Sequence, residues 1–202
     1  QGTLTLLTDD NIEMRAVNLY PSITYQTIQG FGGAITEAAG YVYHQMNDSD
    51  KEAFLDCYFG PEGINYTVVR CHIDSSDFAL GNYAAMTDPE DRDMRSFNLE
   101  RDHQYILPLL RDAEKKLGKK LKVMLSPWSP PPFMKTNGEK NHGGKLKPEY
   151  RGFWAEYLCR YISEYKAMGM DVDMLTIQNE PNAVQIWDSC TYSTEEEKVF
   201  LR

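Results

Sequence analysis

What constrains this chain most is an alternation of two hydrophobic periods. A glycine-rich stretch at 30–36 is followed by a helix over 50–59, opened by a Ser49-x-x-Glu52 capping box and closed by Gly60-Pro61. Residues 66–73, with Val68, Val69 and Cys71, then read as a strand. A polar loop over 74–98 follows, long enough to suggest function rather than mere connection. Across 99–117, Ile106, Leu107, Leu110, Ala113 and Leu117 recur at helical spacing, with a kink expected at Pro108 and an end at Gly118. Residues 121–125 supply a third strand. The helix over 149–168 carries the clearest stripe: Tyr150, Phe153, Trp154, Tyr157, Leu158, Tyr161, Ile162, Tyr165 and Met168. A fourth strand reads over 175–181 as a short buried run whose last residues turn polar. Ser193-x-x-Glu196 then caps a helix that runs to Arg202.

β-α units in succession call for a parallel sheet. Two closures satisfy that pattern, an open doubly wound sheet and a (β/α)8 barrel. A barrel needs eight strands and typically ~250 residues. Residues 29–202 are therefore expected to form a TIM barrel of which about four β-α units are present, ending inside an element. Residues 1–28 have a different character. Leu4, Leu6, Val17, Leu19, Ile23 and Ile28 alternate loosely with polar residues, which is antiparallel strand material set apart from the barrel.

Composition excludes more than it identifies. With 42% hydrophobic and 12% aromatic residues the chain can build a core, so a disordered segment is not expected. A formal net charge of −9 argues against a nucleic-acid partner. Cys57, Cys71, Cys159 and Cys190 form no C-x-x-C pair, so no metal site is expected; Cys71 and Cys159 fall at apolar positions and read as buried thiols. No apolar run approaches the ~18 residues of a membrane span. Gln1 opens no secretory leader, leaving the compartment open between secreted and cytoplasmic. The glycine-rich stretch lacks the Lys-Ser/Thr ending of a phosphate loop, and no cofactor is implied. Asn47-Asp48-Ser49 and Asn65-Tyr66-Thr67 match the glycosylation sequon, but two matches in 202 residues carry no weight.

The informative residues lie where strands end. Asn179 and Glu180 put an amide and a carboxyl side by side at a strand's C-terminal rim, where parallel α/β architectures bind ligands. Four stretches at such ends occur in order: "GFGGAITEAAG" at 30–40, "VVRCHIDSSDF" at 68–78, "SPWSPPPFMKTNG" at 126–138 and "TIQNEP" at 176–181. Together they closely resemble the family-30 glycoside hydrolases of the glucosylceramidase-like branch, over nearly the whole chain. The resemblance implies a retaining β-glycosidase on a TIM barrel with a β-sandwich beside it, to which residues 1–28 would contribute strands. It implies that Glu180 is the general acid/base and Asn179 the amide that contacts the sugar 2-hydroxyl. Arg70 would orient the catalytic carboxylates, Asp77 would bind hydroxyls of the terminal sugar, Trp128 would line the same subsite, and Phe78 would form its wall. The family's nucleophile, a glutamate after strand seven, has no counterpart in these four units.

Each assignment has a plainer competitor. Asp77 also reads as a loop carboxylate capping a turn, Arg70 as a rim salt bridge, and Trp128 as a ring packed beneath its loop. Asp74 and Glu37, also after strands, are further rim carboxylates, and His72 reads as a satisfied rim histidine. Retaining hydrolysis needs two carboxyl groups about 5–5.5 Å apart, one attacking and one protonating the leaving oxygen. The parent protein is thus expected to act on a carbohydrate or glycolipid, with β-glucosyl lipid, β-1,6-glucan and β-xyloside all open. This chain alone is expected to be inactive without the other half of the barrel. A non-catalytic carbohydrate-binding or interaction module is the alternative.

Overall fold

A computed structural model describes residues 17–201. Strands β1 (Gly32–Ala34), β2 (Val68–Ile73), β3 (Lys122–Pro127) and β4 (Asp171–Leu175) form one sheet, each parallel to and paired with the next. A doubly wound sheet reverses direction at a switch point. Here the spatial order is the chain order, 1-2-3-4, as in a singly wound barrel. The fold is α/β and TIM-barrel-like.

Alternation along the strands sorts the residues onto two sides. Val69, Cys71 and Ile73 of β2 and Val123 and Leu125 of β3 are buried against the helical layer. Arg70, His72, Met124 and Ser126 take the other face, with Arg70 in register with Met124 and His72 with Ser126. β1 approaches β2 so closely that a Cβ on Gly32 would lie 1.6 Å from the Val68 carbonyl oxygen. Only glycine permits that contact. Between β3 and β4 the register slips, and Asp173 is the extra residue between the pairs Val123–Val172 and Met124–Met174.

Helix α1 (Glu37–Gln45) is capped by Thr36, whose hydroxyl accepts from the Ala39 N–H. The pattern reading gave this segment no helix, because its apolar residues are interrupted by Gly40. That glycine lets α1 cross Tyr105, whose carbonyl oxygen would lie 2.4 Å from an added Cβ. Helix α2 (Asp48–Phe59) starts before the expected capping box. Asn47 caps it by accepting from the Asp50 N–H, so Ser49 lies inside the first turn.

The expected kink at Pro108 is instead a break. Helix α3 (Glu100–Gln104) ends and α4 (Ile106–Leu117) begins on either side of Tyr105. A proline ring collides with the carbonyl four residues earlier, here that of Gln104. With the break there, Pro108 falls in the first turn of α4, where its missing N–H costs nothing. Helix α5 (Arg151–Ala167) follows a 3₁₀ turn at Pro148–Tyr150 and buries Trp154, Tyr157, Leu158, Tyr161 and Tyr165. Cys159 points away from that stripe and is exposed, against the expectation of a buried thiol, whereas Cys71 is buried. Helix α6 (Thr194–Phe200) has the full Ser193/Glu196 capping box.

The fourth strand also differs from its sequence reading. β4 ends at Leu175, and Leu175 is exposed. Residues 176–180 leave the sheet but stay tied to β3 and its end, Thr176 N–H donating to Leu125 O and Asn179 N–H to Pro127 O. Residues 17–28 pair with no strand among the described residues and expose Val17, Leu19, Ile23, Tyr25 and Ile28. Residues 1–16, with Leu4 and Leu6, lie outside the described residues.

Candidate active site

Arg70 is the hub of the rim. It sits on the non-helical face of β2, half-buried, and its Nη2 donates to two acceptors, Ser126 Oγ at 2.7 Å and Asn179 Oδ1 at 2.8 Å. The guanidinium lies 4.4 Å from the ring centroid of Trp128, which is itself buried. Burial pushes the Arg70 pKa down, while Asp77 and Glu180 pull it back up. Both carboxylates therefore lie within its field. Residues from three strand ends thus converge: Arg70 and Asp77 from β2, Trp128 from β3, and Asn179 and Glu180 from β4.

Glu180 is exposed, and among the described residues no hydrogen bond reaches its carboxylate. Its φ is 45°, in the left-handed region that an L-residue ahead of a proline rarely occupies. Ala183 N–H donates to its carbonyl, closing a turn that aims the chain back. Such strain at a rim position marks a conformation the surroundings enforce. Gln178 helps enforce it, since its buried side chain donates to Trp128 O at 2.6 Å.

Asn179 has a determined orientation. Arg70 carries only hydrogens, so the amide must present its oxygen to it, and the Nδ2 hydrogens face elsewhere. Asp77 is exposed on the loop beyond β2. Phe78 is 60% exposed, and its contacts are backbone ones: its carbonyl accepts from the Ala38 N–H and its N–H donates to Ser76 Oγ. Among the described residues no aromatic or cation–π contact links its ring to Arg70 or Trp128.

The other rim carboxylates are occupied. Glu37 is fully buried and takes a two-point ion pair from Arg101, at 2.6 and 2.8 Å, with the Leu80 N–H as a third donor. Asp74 is also fully buried; its Oδ1 accepts from Tyr157 OH and the Ala85 N–H. Burial raises its pKa, and Lys140 is the first group to oppose that. His72 is the satisfied histidine expected: Nε2 accepts from the Glu37 N–H, leaving Nδ1–H for the Asp74 carbonyl. Burial holds it neutral.

Beneath the rim, the Lys140 ammonium sits 3.6 Å from both Asp74 Oδ2 and Asp188 Oδ1 and donates to Ser129 O. Lys135, fully buried, donates to Lys140 O and Ser189 O. These two lysines join the loops after β2, β3 and β4 from below. Sequence reading missed them, as it missed Ser126 and Thr176. The signal available was polar residues inside otherwise apolar strands, Arg70, His72 and Ser126, which a sheet with one face against helices admits only where its other face is wet or functional. Among the described residues no cluster of His, Cys, Asp or Glu could hold a metal ion, and no helix is long and apolar enough to cross a membrane.

Comparison with known proteins gives this rim a context. The chain is 31% identical over 172 residues to the lysosomal acid glucosylceramidase of Mus musculus, a match covering 83% of this chain and 33% of that protein. It is 32% identical over 167 residues to an endo-1,6-beta-D-glucanase of Neurospora crassa, covering 80% of this chain and 35% of the relative. Among solved structures, SrfJ from Salmonella typhimurium superposes with a TM-score of 0.85 at 44% identity, over 89% of this chain and 40% of that one. The endo-beta1,6-glucanase BT3312 does so with a TM-score of 0.81 at 32% identity, over 90% and 41%. The chain thus spans about a third of the length of these curated relatives. Residues 28–200 match the glycosyl hydrolase family 30 TIM-barrel domain. With parallel strands in barrel order and Asn179-Glu180 at the rim, this chain belongs to glycosyl hydrolase family 30.

Proposed function

We propose that the protein carrying this chain is a retaining β-glycoside hydrolase of the glucosylceramidase type, cleaving terminal β-glucosyl bonds, with Glu180 as its general acid/base. The observation that carries this reading is the convergence of Arg70, Asn179 and Glu180 at one rim. The relatives named as a glucosylceramidase and as 1,6-β-glucanases share a bond to glucose, which supports the substrate class.

In this reading the sugar sits over Trp128, and Asp77 accepts from hydroxyls of the terminal ring. The Asn179 Nδ2 hydrogens, turned away from Arg70, meet the 2-hydroxyl. Glu180 gives its proton to the leaving oxygen, then as carboxylate takes one from the attacking water. A second carboxylate outside these 202 residues attacks the anomeric carbon, so the chain alone turns over no substrate. Phe78, exposed beside Asp77, lines the open wall. A side β-domain would take up residues 17–28, the described part of the expected 1–28 strand region, and the bare apolar residues between Val17 and Ile28 support that.

The test is the anomer released first by the whole protein from an alkyl or lipid β-glucoside. Proton NMR showing β-glucose ahead of its mutarotation supports the reading. Early α-glucose, or no release at all, removes it.

A further inference from the structure

We infer that Ser126, with Thr176 behind it, is a positioning residue that sets the orientation of Arg70 and, through it, of the Asn179 amide. This rests on the hydrolase reading of the rim, but the hydroxyl pair itself belongs to none of the roles assigned above.

Arg70 Nη2 carries two hydrogens, and both are committed, one to Ser126 Oγ and one to Asn179 Oδ1. Nε and Nη1 make no hydrogen bond among the described residues. Ser126 is fully buried, on β3 opposite His72, so no solvent can replace its oxygen. Its Oγ also bonds Thr176 Oγ1, on the segment that carries Asn179 and Glu180. Whichever hydroxyl donates in that bond, Ser126 keeps a lone pair for Arg70, since the oxygen has two. A chain of side chains thus runs from Thr176 through Ser126 and Arg70 to Asn179, leaving the segment after β4 and returning to it three residues later.

The Trp128 ring lies 4.4 Å from the guanidinium carbon and offers it no hydrogen-bond acceptor there, so it does not set which N–H points at Asn179. Ser126 does. Without its hydroxyl, Nη2 keeps one partner, and the guanidinium can turn to offer Asn179 a different hydrogen or none. The amide then loses the constraint that keeps Nδ2 toward the sugar. The contact that suffers first is the one to the 2-hydroxyl, because Asn179 is bonded to the freed nitrogen, whereas Glu180 shares no hydrogen bond with Arg70 among the described residues.

The experiment compares kcat/KM of the whole protein for an aryl β-glucoside and the matching 2-deoxy-β-glucoside. Ser126→Ala should lower the first about tenfold and change the second less than about twofold, with Thr176→Val shifting the ratio the same way but less. Equal losses on both substrates would make Ser126 structural only and overturn the proposal. If the unaltered protein hydrolyses neither glycoside, it is the hydrolase reading that fails. ¹⁵N spectra of the guanidinium then decide the positioning alone. Separate, slowly exchanging Nη signals for Arg70 that merge in Ser126→Ala support it; signals unchanged by the substitution overturn it.

Discussion

Arg70 and Asn179, 109 residues apart in sequence, meet through a 2.8 Å hydrogen bond from Nη2 to Oδ1. The bond fixes a cation between two strand ends and decides which side of an amide faces outward. Lysine cannot reproduce it. An ammonium cannot serve Ser126 and Asn179 from one planar nitrogen while stacking on Trp128. Arg70→Lys in the whole protein should therefore lower kcat/KM by about 10- to 100-fold, the loss of one to two charge-assisted hydrogen bonds, with little change in unfolding midpoint. A kcat/KM within twofold of the unaltered protein would reduce Arg70 to a rim salt bridge.

Glu180 should matter in proportion to how badly the leaving group needs a proton. Glu180→Ala should slow cleavage of an alkyl glucoside or glycolipid by roughly 10²–10⁴-fold. Glycosylation from a dinitrophenyl glucoside should be spared, with deglycosylation becoming limiting. Azide needs no base and should restore turnover as a β-glycosyl azide. Equal losses on both substrates without azide rescue would leave Glu180 a structural residue.

Lys140 should be worth more to stability than its one hydrogen bond suggests. Among the described residues, its ammonium is the cation nearest two buried carboxylates, Asp74 and Asp188, and Asp74 Oδ2 has no hydrogen-bond partner there. Lys140→Met should cost about 3–5 kcal/mol in urea unfolding, because it leaves buried charge uncompensated. Adding Asp74→Asn should recover part of that loss, since the two sites share one interaction. Simple additivity of the two changes would disprove the coupling.

Asp102 should impose a pH dependence on stability. It is fully buried and accepts from Tyr83, Tyr161 and Tyr165. Burial raises its pKa from 3.8 to about 6, against the pull of the tyrosine hydroxyls and with a smaller push from Asp74. The folded protein then binds this proton more tightly than the unfolded chain does. The stabilisation is fully present below about pH 4 and is lost as pH rises through about 6, a change of about 3 kcal/mol. Asp102→Asn should flatten that part of the stability–pH curve, and an unchanged slope between pH 4 and 6 would show that another group titrates there.

Most helices, the parallel β-α succession and the motifs at the rim were legible in the sequence, whereas α1 was not and β4 lies earlier than its reading. Period-2 and period-3.6 patterns are local, so the parallel units and the stripe from Trp154 to Tyr165 were legible. So was the Ser193/Glu196 cap, because each follows from neighbours within a few residues. The motifs at strand ends, through the family they resemble, pointed to Arg70, Trp128, Asn179 and Glu180. Which of them meet was left to the tertiary structure. It closed Glu37 and Asp74 into buried networks with Arg101 and Lys140 and left Glu180 open, since carboxylates alike in sequence differ only in what folds over them. It chose barrel order over a doubly wound sheet through pairing between strands some 35 to 55 residues apart. It also made Ser126 and Thr176 neighbours, 50 residues apart, through strand register. A hydroxyl's role depends on the atom that register sets opposite it, and no local pattern records that.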